Sequence, residues 1–260
     1  MISVKDSFNL EGRTALITGG SRGLGLQMAE ALGEMGARVM LSARKVEELD
    51  EARAHLEAHG IAVETFAADC QHQSGVIELA SQAVARMGRV DILVNNAGAS
   101  WGAKTEDHPI EAWDKVMNLN VRSMFLLCQE IGRRSMIPNG HGRIINIASI
   151  AGLKGNPPDN QPTLAYNTSK AAVINFTRAL ASEWGKYGIN VNAIAPGFFL
   201  SKMTRGLIES VGLEKMTAMT PLKRIGDDGD LKGAVLLFAS AAGKHITGQT
   251  LAVDGGRSAV

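Results

Sequence analysis

Short runs typical of β-strands alternate with longer runs typical of α-helices along the whole chain. The strand-like runs cover residues 13–18, 38–41, 62–66, 91–94, 143–147, 189–195 and 250–253. The helical patterns cover residues 24–35, 46–59, 75–87, 110–136, the stretch that begins near Tyr166, and 231–240. Strands that are separated by helices pair in parallel, and a parallel sheet is covered by helices on both faces. The alternation therefore predicts one α/β domain over residues 1–260, with a doubly wound, mainly parallel sheet.

The residues with unusual chemistry come just after strand-like runs. Residues 19–25, residues 95–98, Ser149 and residues 196–197 all occupy such positions. Ligands of parallel sheets bind outside the carboxyl ends of the strands. The sequence therefore predicts a single site at that edge of the sheet.

The overall composition argues against several classes of function. The 27 basic and 26 acidic residues leave a net charge of +1, which gives no reason to expect a nucleic acid or an anionic membrane as a partner. No apolar run approaches the roughly 20 residues of a membrane span, and the start of the chain lacks a signal-peptide core. Cys70 and Cys128 are too few for a disulfide framework in a chain of this size. We therefore expect a cytoplasmic protein.

The turn after the first strand has the features of an anion site. Residues 18–25 read Thr-Gly-Gly-Ser-Arg-Gly-Leu-Gly, with the glycine spacing Gly-x-x-x-Gly-x-Gly. Glycines let a ligand approach the backbone, and the following helix N-terminus attracts negative charge. Tight packing of strand on helix is the alternative explanation, but the place of the turn after the first strand favours a nucleotide. The predicted contacts in this turn are Gly19, Ser21, Arg22, Gly23, Leu24 and Gly25.

The end of the second strand predicts which dinucleotide binds. Proteins that prefer NAD usually carry an acidic residue there to bind the ribose hydroxyls. Here the stretch contains Arg44 and Lys45 and no acid, and Arg22 of the glycine turn is a second guanidinium in reach. Guanidinium groups suit a 2′-phosphate, so the sequence favours NADP(H). The alternative is that Arg44 and Lys45 only decorate a surface loop.

Tyr166 and Lys170 lie four positions apart at the start of a helical pattern, so they share one helix face. A free phenol has a pKa near ~10. A cation about 4 Å away would favour the phenolate by roughly 4 kcal/mol at an effective dielectric of about 20. This predicts that Lys170 lowers the pKa of Tyr166 by up to ~3, into the range useful for proton transfer. Taken alone, such a pair is usually a half-buried ring beside a solvated charge, so the rest of the sequence has to support the catalytic interpretation.

Together these motifs resemble the short-chain dehydrogenase/reductase family over nearly the whole chain. The resemblance rests on Thr18, Gly19, Gly23 and Gly25, on residues 95–98, Asn120, Ser149, Tyr166 and Lys170, and on residues 196–197 and 254–256. Any one of these motifs is common, whereas all of them in this order are specific. The family's fold is a single Rossmann domain.

The resemblance implies four catalytic roles. Tyr166 would exchange a proton with the substrate oxygen, and Ser149 would hold that oxygen by a hydrogen bond. Lys170 would bind the nicotinamide ribose and lower the pKa of Tyr166. Asn120 would position a water in a proton relay behind Lys170, with Asn118 as a competing candidate for that role.

The resemblance also implies further contacts with NADP(H). Asp69 would meet the adenine, and Phe199 (through its backbone) and Ser201 would meet the nicotinamide amide. The full predicted set outside the glycine turn is Arg44, Asp69, Cys70, Asn96, Ala97, Gly98, Tyr166, Lys170, Pro196, Gly197, Phe199 and Ser201.

The expected substrate is a small carbonyl or alcohol compound. Trp101, Phe198 and a lid over residues 198–219 favour an apolar pocket, with Ser149 and Tyr166 at its base. Local stretches resemble 3-oxoacyl thioester reductases linked to rhamnolipid synthesis. Polyol or gluconate-type dehydrogenases of the same family are the first alternative, and an extra proline-containing loop between Ser149 and Tyr166 makes substrate analogy uncertain.

Two other classes are disfavoured by the sequence. A non-catalytic NADP(H) sensor should lack part of the catalytic set, which is complete here. A metal enzyme is disfavoured because His55 and His59, four apart on a charged helix, have no evident third ligand. Family members are commonly homotetramers, so we expect a homotetramer or a dimer.

Overall fold

Seven parallel strands form one sheet in the order β3-β2-β1-β4-β5-β6-β7. This computed structural model describes residues 3–156, 162–200, 204 and 212–260. The strands are β1 (Thr14–Thr18), β2 (Arg38–Ala43), β3 (Val63–Ala67), β4 (Ile92–Asn95), β5 (Gly142–Ile147), β6 (Ile189–Pro196) and β7 (Thr250–Val253). The winding direction reverses between β1 and β4, and such a reversal is where α/β sheets bind their ligands.

The helices alternate with these strands, as the sequence predicts. Those described are α1 (Val4–Ser7), α2 (Gly23–Glu34), α3 (Val46–Ala58), α4 (Gln73–Met87), α5 (Ile110–Met117), α6 (Ser123–Ile131), α7 (Ile137–Asn139), α8 (Leu164–Trp184), α9 (Leu213–Ala218) and α10 (Lys232–Ala239). Short 3₁₀ turns cover Thr105–Asp107, Ile150–Gly152, Gly185–Tyr187 and Ala241–Gly243. None of the described helices is long and apolar enough to cross a membrane.

One predicted helix differs in detail from the structure. Residues 110–136 were expected to be a regular α-helix. Instead, π-helical turns at Asn118–Arg122 and Gly132–Met136 separate α5, α6 and α7. A π-turn widens the helix locally and is frequent at functional sites. The amphipathic pattern predicts the helix, but it carries no signal for these widened turns.

A hydrophobic core lies on each face of the sheet. On one face, α2 packs over β1 and β2, α3 over β2 and β3, and α10 over β5 and β6, through residues such as Met28 and Val235. On the other face, α4, α6 and α8 pack over β4 and β5 through residues such as Leu79 and Val173. This two-sided cover confirms the doubly wound architecture.

Buried amides connect the second of these cores to the sheet. The Asn95 amide of β4 donates to the Asn146 carbonyl oxygen of β5 at 2.9 Å, and the Asn146 amide donates to the Thr177 hydroxyl of α8 at 3.0 Å. Asn146 and Thr177 are fully buried. This chain of hydrogen bonds fixes α8 over β5, and α8 carries Tyr166 and Lys170.

We expect Asn146→Leu to lower the free energy of unfolding by about 2 kcal/mol, because it leaves buried polar partners without their bonds. Urea unfolding of the two proteins measures the difference. Asn139→Leu, the same substitution at an exposed position, serves as the control and should change stability by less than about 0.5 kcal/mol. Equal unfolding midpoints for wild type and Asn146→Leu would contradict this account of the amide chain.

Candidate active site

A pocket lies at the carboxyl edge of the sheet, where the sequence predicts a site. It is lined by Thr18 at the end of β1, Ala97 after β4, Asn120, Ile147 at the end of β5, and Lys170 of α8. Residues from five separate parts of the sequence therefore meet at the point where the sheet winding reverses.

The glycine turn is held tightly against the turn that follows β4. The Asn96 amide donates to the backbone oxygens of Thr18 and Gly19 at 3.0 and 2.9 Å, and the Thr18 hydroxyl accepts the backbone N–H groups of Asn96 and Ala97 at 3.1 and 3.0 Å. A Cβ atom at Gly25 would lie 2.2 Å from the Gly19 oxygen and 2.6 Å from the Asn96 amide nitrogen. Only glycine fits at position 25, so the start of α2 reaches the edge of the sheet.

Three polar side chains at this turn converge on one carboxylate. The Arg22 guanidinium lies 2.7 Å from Glu48, the Lys45 ammonium lies 3.4 Å from the same oxygen, and the Ser21 hydroxyl donates to the other oxygen at 3.4 Å. Arg44 is exposed at the end of β2 and makes no salt bridge with any described residue. The structure thus brings Arg22 and Lys45 together at Glu48, a residue that the sequence analysis did not identify.

The first turn of α3 contains the only sequence signal for Glu48. An acid there stabilises the helix N-terminus, and a lysine three positions earlier is within reach of it. Neither relation indicates that Arg22, from the other side of the glycine turn, joins the same carboxylate.

The Lys170 ammonium is buried. Its side chain donates to the backbone oxygen of Ile147 at 2.7 Å, and the residue is only 5% exposed. Burial lowers the pKa of Lys170 to about 8. A lysine with this pKa carries a positive charge at neutral pH, although burial opposes that charge.

Ser149 and Tyr166 are brought together by a close approach between the loop after β5 and α8. A Cβ atom at Gly152 would lie 2.5 Å from the backbone carbon of Lys170, so this approach requires glycine. The Ser149 hydroxyl accepts the backbone N–H of Ala151 at 3.1 Å and also hydrogen-bonds the phenol of Tyr166.

The predicted lowering of the Tyr166 pKa is wrong for this arrangement. Burial raises the pKa of Tyr166 above its usual value, and the hydrogen bond with Ser149 opposes that change only in part. The Lys170 ammonium lies 5.6 Å from the centre of the tyrosine ring and is directed toward Ile147. The sequence places the two side chains on one helix face, but it does not show how deeply the ring is buried.

Asn120, and not Asn118, faces the site. It is buried in the π-helical turn, where its side-chain oxygen accepts the Ala99 N–H at 2.8 Å and its amide donates to the Ala99 oxygen and the Ser169 hydroxyl, each at 2.9 Å. Both amide hydrogens are therefore engaged. This side chain joins the turn after β4 to α8, and the predicted water relay would have to use other atoms of Asn120.

Comparison with known proteins supports one family. The sequence profile described as "short chain dehydrogenase" matches residues 13–211. The chain belongs to the short-chain dehydrogenase family.

Full-length relatives of this short-chain dehydrogenase include gluconate dehydrogenases and 3-oxoacyl-[acyl-carrier-protein] reductases. The gluconate 5-dehydrogenase of Gluconobacter oxydans is 38% identical, over 98% of each chain. The rhamnolipids biosynthesis 3-oxoacyl-[acyl-carrier-protein] reductase of Pseudomonas aeruginosa is 41% identical, over 96% of this chain and 97% of the relative. The solved structure of a gluconate 5-dehydrogenase from Burkholderia cenocepacia J2315 in complex with NADP and tartrate is 34% identical with a TM-score of 0.93, covering 99% of this chain and all of that one.

The other predicted contacts of the short-chain dehydrogenase site are spread around the pocket. Cys70 lines it and is buried, which raises the pKa of its thiol to about 11. Asp69 accepts the backbone N–H of Gln71 at 3.0 Å in the loop after β3. A Cβ atom at Gly98 would lie 3.2 Å from the Asn120 oxygen and 3.6 Å from the Lys170 nitrogen, so this glycine borders the catalytic residues.

The segment after β6 is described only in part. Pro196 pairs with Val253, Phe199 is buried, and the ring of Phe198 lies 5.8 Å from the Arg257 guanidinium. Residues 201–203 and 205–211 of the predicted lid over residues 198–219, Ser201 among them, lie outside the described residues. Trp101 is 45% exposed in the loop after β4.

The low pKa of Lys170 predicts a specific pH dependence of stability. The folded-state pKa of about 8 lies below the ordinary value of 10.5, so above pH 8 the folded protein binds fewer protons than the unfolded chain. Relative to Lys170→Met, the wild type should therefore gain about 2 kcal/mol of unfolding free energy between pH 7 and pH 9.5. Urea unfolding at both pH values measures this gain, and a constant difference between the proteins would contradict the buried-ammonium assignment.

Proposed function

We propose that this short-chain dehydrogenase is an NADP(H)-dependent carbonyl reductase that acts on 3-oxoacyl thioesters or similar apolar ketones. The observation that carries the proposal is the convergence of Ser149, Tyr166 and Lys170 at the sheet edge, beside a glycine turn that is flanked by basic side chains. A proton donor and a candidate anion site therefore lie at the same edge of the sheet.

The residues around the glycine turn fit a phosphorylated dinucleotide. Gly25 lies in the first turn of α2, which begins at Gly23. The hydroxyl of Ser21 and the cations of Arg22 and Lys45 meet beside this turn, and Arg44 is exposed next to Lys45, so these groups would hold a 2′-phosphate. The NADP in the Burkholderia cenocepacia relative supports the same choice. When bound, NADPH supplies the hydride for the reduction.

The catalytic residues suit the reductive direction. Because burial raises the pKa of Tyr166, its phenol stays protonated at neutral pH and is ready to donate to a carbonyl oxygen that gains negative charge. Ser149 accepts the Ala151 N–H, so its own proton is left to point toward the phenol or the substrate oxygen. The Lys170 ammonium, held by Ile147, stabilises the tyrosinate that remains after proton transfer.

An apolar rim supports the acyl substrate. Trp101, Leu153, Leu164 and Leu200 are 44–60% exposed, and all four lie on segments at the carboxyl edge of the sheet or at the start of α8. Exposed apolar side chains grouped around one pocket are typical of a binding surface for an apolar ligand. The name of the Pseudomonas aeruginosa relative, a 3-oxoacyl-[acyl-carrier-protein] reductase, indicates an acyl substrate of this type for that enzyme.

A sugar-acid ketone is the second candidate. It is favoured by the gluconate 5-dehydrogenase of Gluconobacter oxydans, which matches this chain over nearly all of both lengths. A non-catalytic sensor remains a third hypothesis, and the intact set of Asn120, Ser149, Tyr166 and Lys170 argues against it.

We also propose that the protein is a homotetramer or a dimer. Phe125 of α6 is 45% exposed and packs edge-on against Phe176 of α8 at 6.4 Å. An aromatic pair exposed across two long helices suits a contact between copies of the chain.

We expect Tyr166→Phe to keep NADPH affinity within about threefold of wild type and to lose at least about 10³-fold in turnover, because it lacks the proton donor. Fluorescence titration with NADPH and steady-state reduction rates measure the two quantities. Substantial turnover by this variant would refute the mechanism.

A panel of carbonyl compounds separates the substrate candidates. It contains a short and a medium 3-oxoacyl thioester, a keto-sugar acid and a simple aryl ketone, each with NADPH and with NADH. Fast NADPH-dependent reduction of the thioesters would support the proposal. Reduction of the sugar acid alone would move the enzyme to the gluconate group, and tight NADPH binding without turnover of any compound would favour the sensor.

Charge reversal at the end of β2 should change cofactor preference. We expect Arg44→Asp to reduce the ratio of NADPH to NADH efficiency (kcat/KM) by at least about tenfold, because the aspartate repels a 2′-phosphate and accepts ribose hydroxyls. Arg53→Asp, the same reversal at an exposed position further along α3, is the matched control. An unchanged ratio in Arg44→Asp would refute the assignment of Arg44.

Removal of the Glu48 charge should strengthen NADPH binding. Glu48 forms salt bridges with Arg22 and Lys45 and so competes with a phosphate for these cations. Two unit charges about 4 Å apart attract each other by about 1 to 4 kcal/mol, depending on the dielectric. We expect Glu48→Gln to lower the Kd for NADPH about tenfold and the Kd for NADH less than threefold. Glu47→Gln, one position earlier, removes the same charge as a control. Weaker NADPH binding by Glu48→Gln would mean that Glu48 instead orders the cations for the phosphate.

A further inference from the structure

The fold supplies the third ligand that the sequence does not show beside His55 and His59. Glu30 of α2 faces the two histidines of α3, and one ligand atom from each of the three residues lies within 4.8 Å of the others. Glu30 is 25 positions before His55 in the chain, so only the packing of α2 beside α3 reveals the cluster.

One distance in the cluster matches that between two ligands of a bound transition-metal ion, and the third ligand atom lies within 4.8 Å of both. Glu30 Oε2 lies 3.3 Å from His55 Nε2. Two ligands of a tetrahedral zinc ion, with bonds of about 2.1 Å, are separated by about 3.4 Å. A metal ion that displaces the His55 Nε2 proton therefore fits between these two atoms with little movement of either side chain.

Each flanking residue already has the outer contact that orients a ligand. The other Glu30 oxygen, Oε1, is held by the Lys232 ammonium at 2.9 Å, which leaves Oε2 directed toward His55. His59 Nδ1 lies 2.8 Å from the backbone oxygen of His55, and since a carbonyl oxygen only accepts, Nδ1 carries the proton and neutral His59 keeps its lone pair on Nε2. Ligating histidines commonly donate their second N–H to a backbone carbonyl in this way.

The charge around the cluster favours a cation. Lys232 also pairs with Glu34 at 3.1 Å, so that Glu30, Glu34 and Lys232 together carry a net charge of −1 when the histidines are neutral. His55 is 43% exposed, so an ion can enter from solvent. Two imidazoles and one carboxylate suit Zn²⁺, Ni²⁺ or Cu²⁺, whereas Mg²⁺ and Ca²⁺ prefer oxygen ligands alone.

We propose that Glu30, His55 and His59 form a binding site for a divalent transition-metal ion of the zinc class, with water completing the coordination. The ion joins α2 to α3. These helices begin beside the Arg22 turn and just after Arg44, so the ion stabilises the part of the fold that frames the proposed phosphate position. The metal site does not depend on the substrate or the cofactor of the enzyme.

Titration of the full chain with ZnCl₂, after removal of any affinity tag and in a buffer that does not chelate metals, tests the site. We expect one Zn²⁺ per chain with a micromolar Kd by calorimetry. The melting temperature should rise by about 5 °C at a hundredfold excess over Kd. MgCl₂ at the same concentration should leave the melting temperature unchanged.

Matched histidine variants locate the ion. His59→Asn and Glu30→Gln should each weaken Zn²⁺ binding at least tenfold and abolish the rise in melting temperature. His245→Asn, the same substitution at an exposed histidine outside the cluster, should bind Zn²⁺ as the wild type does. Absence of binding to the wild type below 100 μM Zn²⁺, or equal binding by His59→Asn and His245→Asn, would overturn the proposal.

Discussion

The junction between β1 and β4 determines where the chemistry of this protein lies. The hydroxyl of Thr18 and the amide of Asn96 close the gap between the two strand ends, where helices leave the sheet on opposite faces. Every other part of the site is built outward from this junction. The bare backbone at Gly25 lets α2 approach from one side, and Asn120 attaches the turn after β4 to α8 on the other side.

The buried Lys170 ammonium shows a conflict between stability and activity. With a pKa of about 8 in place of 10.5, the charged lysine destabilises the folded state by roughly 3 kcal/mol at neutral pH. The hydrogen bond to Ile147 keeps the charge beside Tyr166 despite this cost. In the proposed reaction this cation would stabilise a tyrosinate at Tyr166, and the amide chain through Asn146 helps to hold the helix that carries Lys170.

Much of the architecture can be predicted from the sequence because it depends on patterns of neighbouring residues. Strand and helix periodicity predicts seven strands, the two-sided cover and the carboxyl edge, and glycines at positions 19 and 25 mark the close approach of two backbones. Properties that depend on the environment of a side chain were not predictable. The direction in which the Tyr166 pKa shifts depends on how the ring is buried. The contacts of Glu48 and Glu30 depend on neighbours that are distant in the chain. Ser201 and residues 205–211 of the lid lie outside the described residues, so the expectations for them remain predictions.

The π-helical turn at Asn118–Arg122 also restricts how this chain can change in length. A π-turn accommodates one residue more than a regular helix does, and each residue turns an α-helix by about 100°. Loss of a single residue here would let the helix become regular and would alter the angular relation between α5 and α6. If α6 kept Leu127 packed against α4, Asn120 would then point away from Ala99. If Asn120 kept its contact with Ala99, Leu127 would point away from α4. Substitutions near this turn change one contact at a time, whereas a one-residue deletion would separate the active-site face of the helix from its core face.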